Sequence, residues 1–270
     1  MPDPSGPLVP DHVLDLFVAP AVDRPLAGSR SVVAGDLVLS PGHDPRVDDL
    51  LSPMLARLAV TLDERPGRVP GALRLAVPVP ARDGSWVVDG WAATRWEPGT
   101  RECEDPGVTL AAGRLLHAEL AVAVPRPPEA LARRTDAWAR AERLAFGPVA
   151  DLVAAAEGRG PAVAGLVGRL GPWLPEPTGL GPSQLVHAAL AGNVLLDPGG
   201  SPVVVDVTPA WRPVRWAEAV CALGAPTRLV EGPTRVEREA LARAAAYRLL
   251  GEERPDAAAY ASALEALGLP

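Results

Sequence analysis

The stretch QLVHAALAGNVLLDPGGSPVVVDVTP, residues 184–209, decides how the chain is to be read. It predicts a short buried strand over 184–186, a compact loop over 187–193, and a β-hairpin. The hairpin's apolar arms, VLL and PVVV, flank the turn Asp197-Pro198-Gly199-Gly200. Asn193 lies six residues before Gly199, and Asp206 six after Gly200. A regular hairpin closing between those glycines sets the two polar side chains opposite each other, with Cβ atoms about 4.5–5.5 Å apart. An amide oxygen and a carboxylate at that separation suit one hard cation. The alternative reading is that the two residues merely flank a buried hairpin as end caps.

The order His187-Ala188-Ala189-Leu190-Ala191-Gly192-Asn193, then a hairpin ending in Asp206, resembles the catalytic and metal-binding core of the aminoglycoside phosphotransferase and choline kinase family. Those enzymes are relatives of protein kinases. Their loop reads H-G-D-L-x-x-x-N, and the later Asp opens the equivalent of the D-F-G segment. Aligned on His187, the catalytic Asp position holds Ala189 and the preceding Gly is Ala188. The loop is one residue shorter before Asn193; aligned on Asn193, the catalytic position is Ala188. The acid is missing either way.

The whole chain limits the alternatives. With 270 residues and 48% apolar content it can bury one large core or two modest lobes. A net charge of −7 with no basic block argues against nucleic acid or an anionic membrane as partner. There is no positively charged leader with an apolar run behind it, and no run approaching the roughly 20 residues of a membrane span. Cytoplasmic localisation is therefore the expectation. Cys103 and Cys221 are isolated, and His12, His43, His117 and His187 are scattered without metal-ligand spacing. All 26 basic side chains are arginine. That usage, with abundant Ala, Pro and Gly, suggests a GC-rich bacterial genome of the actinobacterial type. It also excludes any chemistry that needs a lysine.

Read in order, the chain predicts a helix over 10–17, a pair of strands across 25–41 joined at Ala34-Gly35-Asp36, and a helix over 45–61. Strands follow over 73–78 and 86–91, and a fifth segment, 92–96, runs into Glu97-Pro98-Gly99. Beyond Gly99 the pattern turns helical: 108–122, 129–146, 149–156 and 162–174, then 214–223, 235–250 and 256–267 after the hairpin. The expected fold class is α+β: a bilobal protein-kinase-like arrangement with a small β-rich lobe over 1–98 and a larger helical lobe over 99–270. The 184–209 hairpin belongs to the second lobe in this division. Trp96-Glu97-Pro98-Gly99 resembles the hinge of the phosphotransferase family, and Leu116-His117 the Leu-His pair of its first large-lobe helix.

The resemblance then implies a role for each matching position. The strand lysine that holds nucleotide phosphates falls at Ser40, which supplies no charge; Arg30 lies in a neighbouring turn. Without that lysine the usual ion pair to the small-lobe helix has no cation, so Asp48 and Asp49 read as solvated surface. Of the glycine-rich phosphate loop only Gly28 remains. The nucleotide would thus meet Gly28, Arg30, Ser40, Trp96 and Glu97. Asn193 and Asp206 would hold Mg²⁺, and His187 would tie its loop to the segment after Asp206. General acid–base help is worth about 10²–10⁴ in rate and one charge-stabilising donor about 10²–10³. Losing both removes on the order of 5–10 kcal/mol of catalysis. The expectation is a pseudokinase that binds a nucleotide, small ligand or protein between its lobes, with ATP and Mg²⁺ as the implied cofactors. Its rivals are a true ATP-dependent phosphotransferase on a small hydroxyl or amino substrate, and a kinase fold turned to nucleotide-independent binding, lined by Trp86, Trp91, Trp96, Trp211 and Trp216.

Overall fold

Short β-branched runs separated by glycine turns build the first part of the chain. The computed structural model describes residues 9–22, 24–26, 29–175, 178–224 and 235–269. Helix α1 (Asp11–Phe17) precedes β1 (Arg24–Pro25), β2 (Val32–Ala34) and β3 (Leu37–Pro41), and β2 and β3 join through Gly35-Asp36 with Ala34 opposite Leu37. A Cβ at Gly35 would stand 2.8 Å from Pro20, and its φ of 62° is left-handed, so glycine is required there. Helix α2 (Pro45–Asp63) starts on Asp44, whose carboxylate accepts from the Arg46 N–H, with Pro45 in the first turn.

The strand expected over 73–78 is two pieces, β4 (Arg74–Leu75) and β5 (Pro78–Val79). The strand expected over 86–91 ends early, because Asp89 and Gly90 both take positive φ and fold β6 (Val87–Val88) back on β7 (Trp91–Arg95). Such a two-residue turn with positive φ at both positions matches the twist of the strands it joins. The result is a six-stranded sheet in the order β1-β2-β3-β7-β5, with β6 on β7. Leu39, Val88 and Trp91 of this sheet share a buried cluster with Val13 and Phe17 of α1.

After β8 (Arg101–Glu102) the chain is mainly helical: α3 (Pro106–Ala123), α4 (Glu129–Ala132), α5 (Ala137–Phe146), α6 (Val149–Glu157) and α7 (Pro161–Leu170). The helix expected over 129–146 breaks at Asp136, which caps α5 by accepting from the Ala139 N–H. The one expected over 162–174 ends at Leu170, where Gly171 and Pro172 tighten the chain into a single 3₁₀ turn. Strand β9 (Ser183–His187), β10 (Val194–Leu196), β11 (Pro202–Val204), β12 (Pro209–Pro213), α8 (Val214–Gly224), α9 (Arg235–Gly251) and α10 (Ala257–Ala266) complete the order.

Two units result. One holds the residues up to Glu102 together with Val194–Asp206; the other holds Cys103–Asn193 and Val207–Pro270. The division expected at residue 98, with the whole hairpin in the second lobe, differs from this. Backbone pairing is the reason: β11 runs parallel to β4, and β10 antiparallel to β8, giving a four-stranded sheet β4-β11-β10-β8 inside the first unit. Arg74 on β4 fastens the same sheet. It is bidentate to Glu97 (2.8 and 3.2 Å), meets Asp63 at 3.2 Å and lies 3.7 Å from Asp197 in the hairpin turn. The second unit closes around Leu166, Leu170, Val186, Leu249 and Trp216, whose ring meets Phe146 and Tyr247 edge-on. Among the described residues no helix is long and apolar enough to cross a membrane.

Candidate functional site

In the second unit the 187–193 loop is seated by its apolar residues and pinned by its polar ones. Leu190 and Ala188 are buried. A Cβ on Gly113 of α3 would lie 2.3 Å from Leu190, and one on Gly224 of α8 would lie 2.6 Å from Ala191. Only glycines let the two helices approach the loop so closely. The imidazole of His187, fully buried, accepts the N–H groups of Ala189 (3.3 Å) and Thr208 (3.2 Å) on Nδ1. It therefore ties the loop to the chain just beyond Asp206.

Behind it, the His187 N–H donates to Nε2 of His117 (3.1 Å), and the Gln184 side chain donates to the His117 carbonyl (2.7 Å). Burial pushes the His117 imidazole down from its ordinary 6.5 to about 4, opposed only in part by Glu218. His117 is thus a neutral acceptor. Asn193 donates from Nδ2 to the Ala189 carbonyl (2.6 Å), which leaves its amide oxygen as the remaining acceptor. Ala189 sits where these bonds converge, and neither Ala188, Leu190 nor Ala191 brings an acid to it.

The hairpin corrects one expectation. Its ladder pairs Val194 with Val204, Leu195 with Val203 and Leu196 with Pro202. The ladder ends at Val194 and Val204 and is centred on Gly199, so it does not set Asn193 opposite Asp206. The turn explains the slip. Asp197 takes the Gly199 and Ser201 N–H groups on its carboxylate, its own N–H donates to the Ser201 carbonyl, and Gly200 is left-handed at φ 82°. Closure thus centres on Gly199 instead of between Gly199 and Gly200, which shifts each pairing by one residue.

Asp206 is exposed, accepts no bond from a described residue, and holds a left-handed φ of 46°. An aspartate tolerates that region better than most residues, and backbone outliers of this kind collect at functional sites. As donor types, the Asn193 amide oxygen and the Asp206 carboxylate fit Mg²⁺, which takes one or two carboxylates plus ligand phosphates. Among the described residues no group of three or more His, Cys, Asp or Glu is placed to hold a metal by itself.

The second cluster lies wholly in the first unit, where β3 meets α2. The Ser40 hydroxyl is 2.8 Å from that of Ser31, which in turn accepts from Ser29 (3.0 Å). Next along the chain, the Gly42 and His43 N–H groups both donate to the Gly90 carbonyl. A Cβ on Gly42 would lie 3.3 Å from the Arg30 guanidinium, so Arg30 reaches this corner; it makes no ion pair with any described residue. Nδ1 of His43 is 3.1 Å from the Asp48 carboxylate, to which Ser52 also donates (3.3 Å).

His43 titrates above its ordinary range. Burial, the largest single influence, lowers it, but the bond and charge of Asp48 and the charge of Asp206 together outweigh burial. Asp48 was expected to be solvated surface; instead it is four-fifths covered and paired, while Asp49 is exposed. The lone histidine of the Gly42-His43-Asp44 run had no sequence signal beyond the acid five residues on.

The other expected nucleotide contacts are scattered or occupied. Gly28 lies outside the described residues. The Trp96 N–H donates to the Asp36 carbonyl, its ring lies 5.3 Å from the Arg24 guanidinium, and the Glu97 carboxylate is spent on Arg74. Thr100 occupies the Glu97 carbonyl. Of the tryptophans proposed to line a cleft, Trp91 and Trp216 are core, and Trp86, Trp96 and Trp211 are partly covered.

No known family and no curated protein sequence matches this chain. Among solved structures, it is similar to choline kinase LicA from Streptococcus pneumoniae, at 12% identity over 95% of this chain and 96% of that one, with a TM-score of 0.47. It is also similar to amicoumacin kinase hAmiN in complex with AMP-PNP, Ca²⁺ and Ami, at 15% identity over 95% of this chain and 84% of that one, again with a TM-score of 0.47.

Proposed function

We propose that this chain is a pseudokinase of the aminoglycoside phosphotransferase and choline kinase type: it binds a nucleotide, ATP with Mg²⁺ foremost, and does not transfer the phosphoryl group. The observation that carries the reading is the 187–193 loop. Its positioning bonds, from His187 to Ala189 and Thr208 and from Asn193 to Ala189, are complete, yet the residue they position is an alanine. Phosphoryl transfer needs an oriented nucleophile, and a methyl group orients nothing. In this reading the Asp206 carboxylate holds the cation, whose chemistry when bound is to neutralise phosphate charge. Arg30 and Ser40, in the same unit as Asp206, meet the ligand.

The test is a calorimetric titration of ATP with Mg²⁺ and with Mn²⁺ into the wild type and Asp206→Ala, run beside incubation with γ-labelled ATP and a small-metabolite extract. Saturable heat in the wild type, weakened about tenfold or more in the variant, with no label transferred, is the expected result. Absence of heat in both proteins ends the nucleotide reading. Label transfer that depends on Asp206 overturns the inactivity.

A further inference from the structure

We infer that His43, steadied by Asp48, is the residue that meets the anionic oxygens of the ligand beside Arg30 and Ser40, in a protein that has no lysine to do so. The inference rests on the nucleotide reading above and assigns the phosphate contact within it. The geometry is specific. Asp48 occupies Nδ1 of His43, which makes Nδ1 the protonated nitrogen and directs the remaining chemistry of the ring to Nε2. Neutral, Nε2 is an acceptor and repels a phosphate oxygen. Protonated, it becomes a charged donor, and a charge-assisted bond to an anion is roughly twice as strong as a neutral one.

Among the described residues two carboxylates act on this ring, and Arg30 stands against the neighbouring Gly42. Asp48 comes from α2, with Ser52 on its carboxylate; Asp206 acts through space from the end of β11; Arg30 reaches over Gly42 from the turn before β2. Asp48 favours the imidazolium through its bond and its charge, the Asp206 charge being taken up by the cation when one is bound, and Arg30 supplies the permanent positive charge. Ser40, fixed by Ser31, adds a neutral hydroxyl on the same strand end. Since the basic residues of the chain are all arginine, His43 brings to this corner a cation that ambient pH can switch off.

The experiment measures the affinity of the full chain for ATP with Mg²⁺ at pH 6.0 and 8.5, with adenosine as the ligand lacking phosphate, in the wild type, His43→Gln, His43→Lys and Asp48→Asn. ATP carries its own titration into every protein, so the readout is the difference between variants; thermal melting verifies that each is folded. The expected result is a loss of about tenfold in wild-type ATP affinity between the two pH values beyond that seen in His43→Lys. His43→Lys binds ATP at pH 8.5 at least as tightly as the wild type does at pH 6.0. His43→Gln is weak at both values, Asp48→Asn shifts the transition to lower pH, and adenosine is indifferent throughout. If His43→Gln binds ATP as the wild type does at both pH values, the assignment is overturned while the nucleotide reading stands. If no protein in the set, His43→Lys included, binds ATP at either pH, the nucleotide reading falls and this inference with it.

Discussion

Two regions carry the polar residues of interest, and they are built on opposite plans. The 187–193 loop is dense with scaffold: a fully buried His187 gathering two backbone N–H groups, Leu190 seated on Gly113, Asn193 bonded to Ala189. It ends on a methyl group. The corner between β3 and α2 is only partly covered, with His43 and Asp48 about a quarter and a fifth exposed, and it is built around an imidazole–carboxylate pair. The contrast teaches that positional bonds and reactive groups are separable. A fold can keep the first in one place and supply the second in another.

The sharpest way to break that contrast is His187→Ala. It leaves the Ala189 and Thr208 N–H groups without their buried acceptor and opens a cavity, so the loss of stability is expected at about 3–5 kcal/mol, read by urea unfolding. A change below about 1 kcal/mol would mean that the loop is not held by its histidine.

Acidification makes the next largest effect. The folded-state value of His117, near 4, lies below its ordinary 6.5, so between those limits the unfolded chain binds more protons. Stability is complete above about 6.5 and falls as the pH drops towards 4, by about 3 kcal/mol from this group alone. Substituting His117→Gln keeps an acceptor for the His187 N–H and removes that slope. Equal acid sensitivity in the variant and the wild type would contradict the assignment.

The smallest expected effect is the most telling for the corner. His43→Gln should change unfolding stability by less than about 1 kcal/mol, since the pair it breaks is partly solvated. A loss as large as that of His187→Ala would make the corner scaffold too, and the two plans would be one.

These regions were unequally legible in the sequence. The α+β organisation, most helix starts (not that of α5) and the hairpin followed from turn chemistry and apolar spacing, because Asp-Pro-Gly-Gly and Ala-Gly-Asp leave the backbone few choices. The register did not. Pro198-Gly199-Gly200 permits closure at more than one place, and only the carboxylate of Asp197 gathering the N–H groups of Gly199 and Ser201 fixes it. The break at Asp89-Gly90 was hidden by flanking valines and tryptophans that read as one strand. His43 was illegible for a different reason. Its partner lies across a helix start, at a spacing that belongs to no periodic pattern, so composition offered a lone histidine and an acid that looked solvated.

The four-stranded sheet has a further consequence, for the order in which the protein takes shape. Strands β4 and β8 leave the ribosome long before β10 and β11, the strands they pair with, and the intervening chain forms helices of the other unit. Until the hairpin arrives, the nascent first unit presents open backbone edges on β4 and β8, which are liable to pair with a stranger. A fragment stopping at Glu102 is therefore expected to associate with itself, and adding back a peptide spanning 190–209 to complete the sheet.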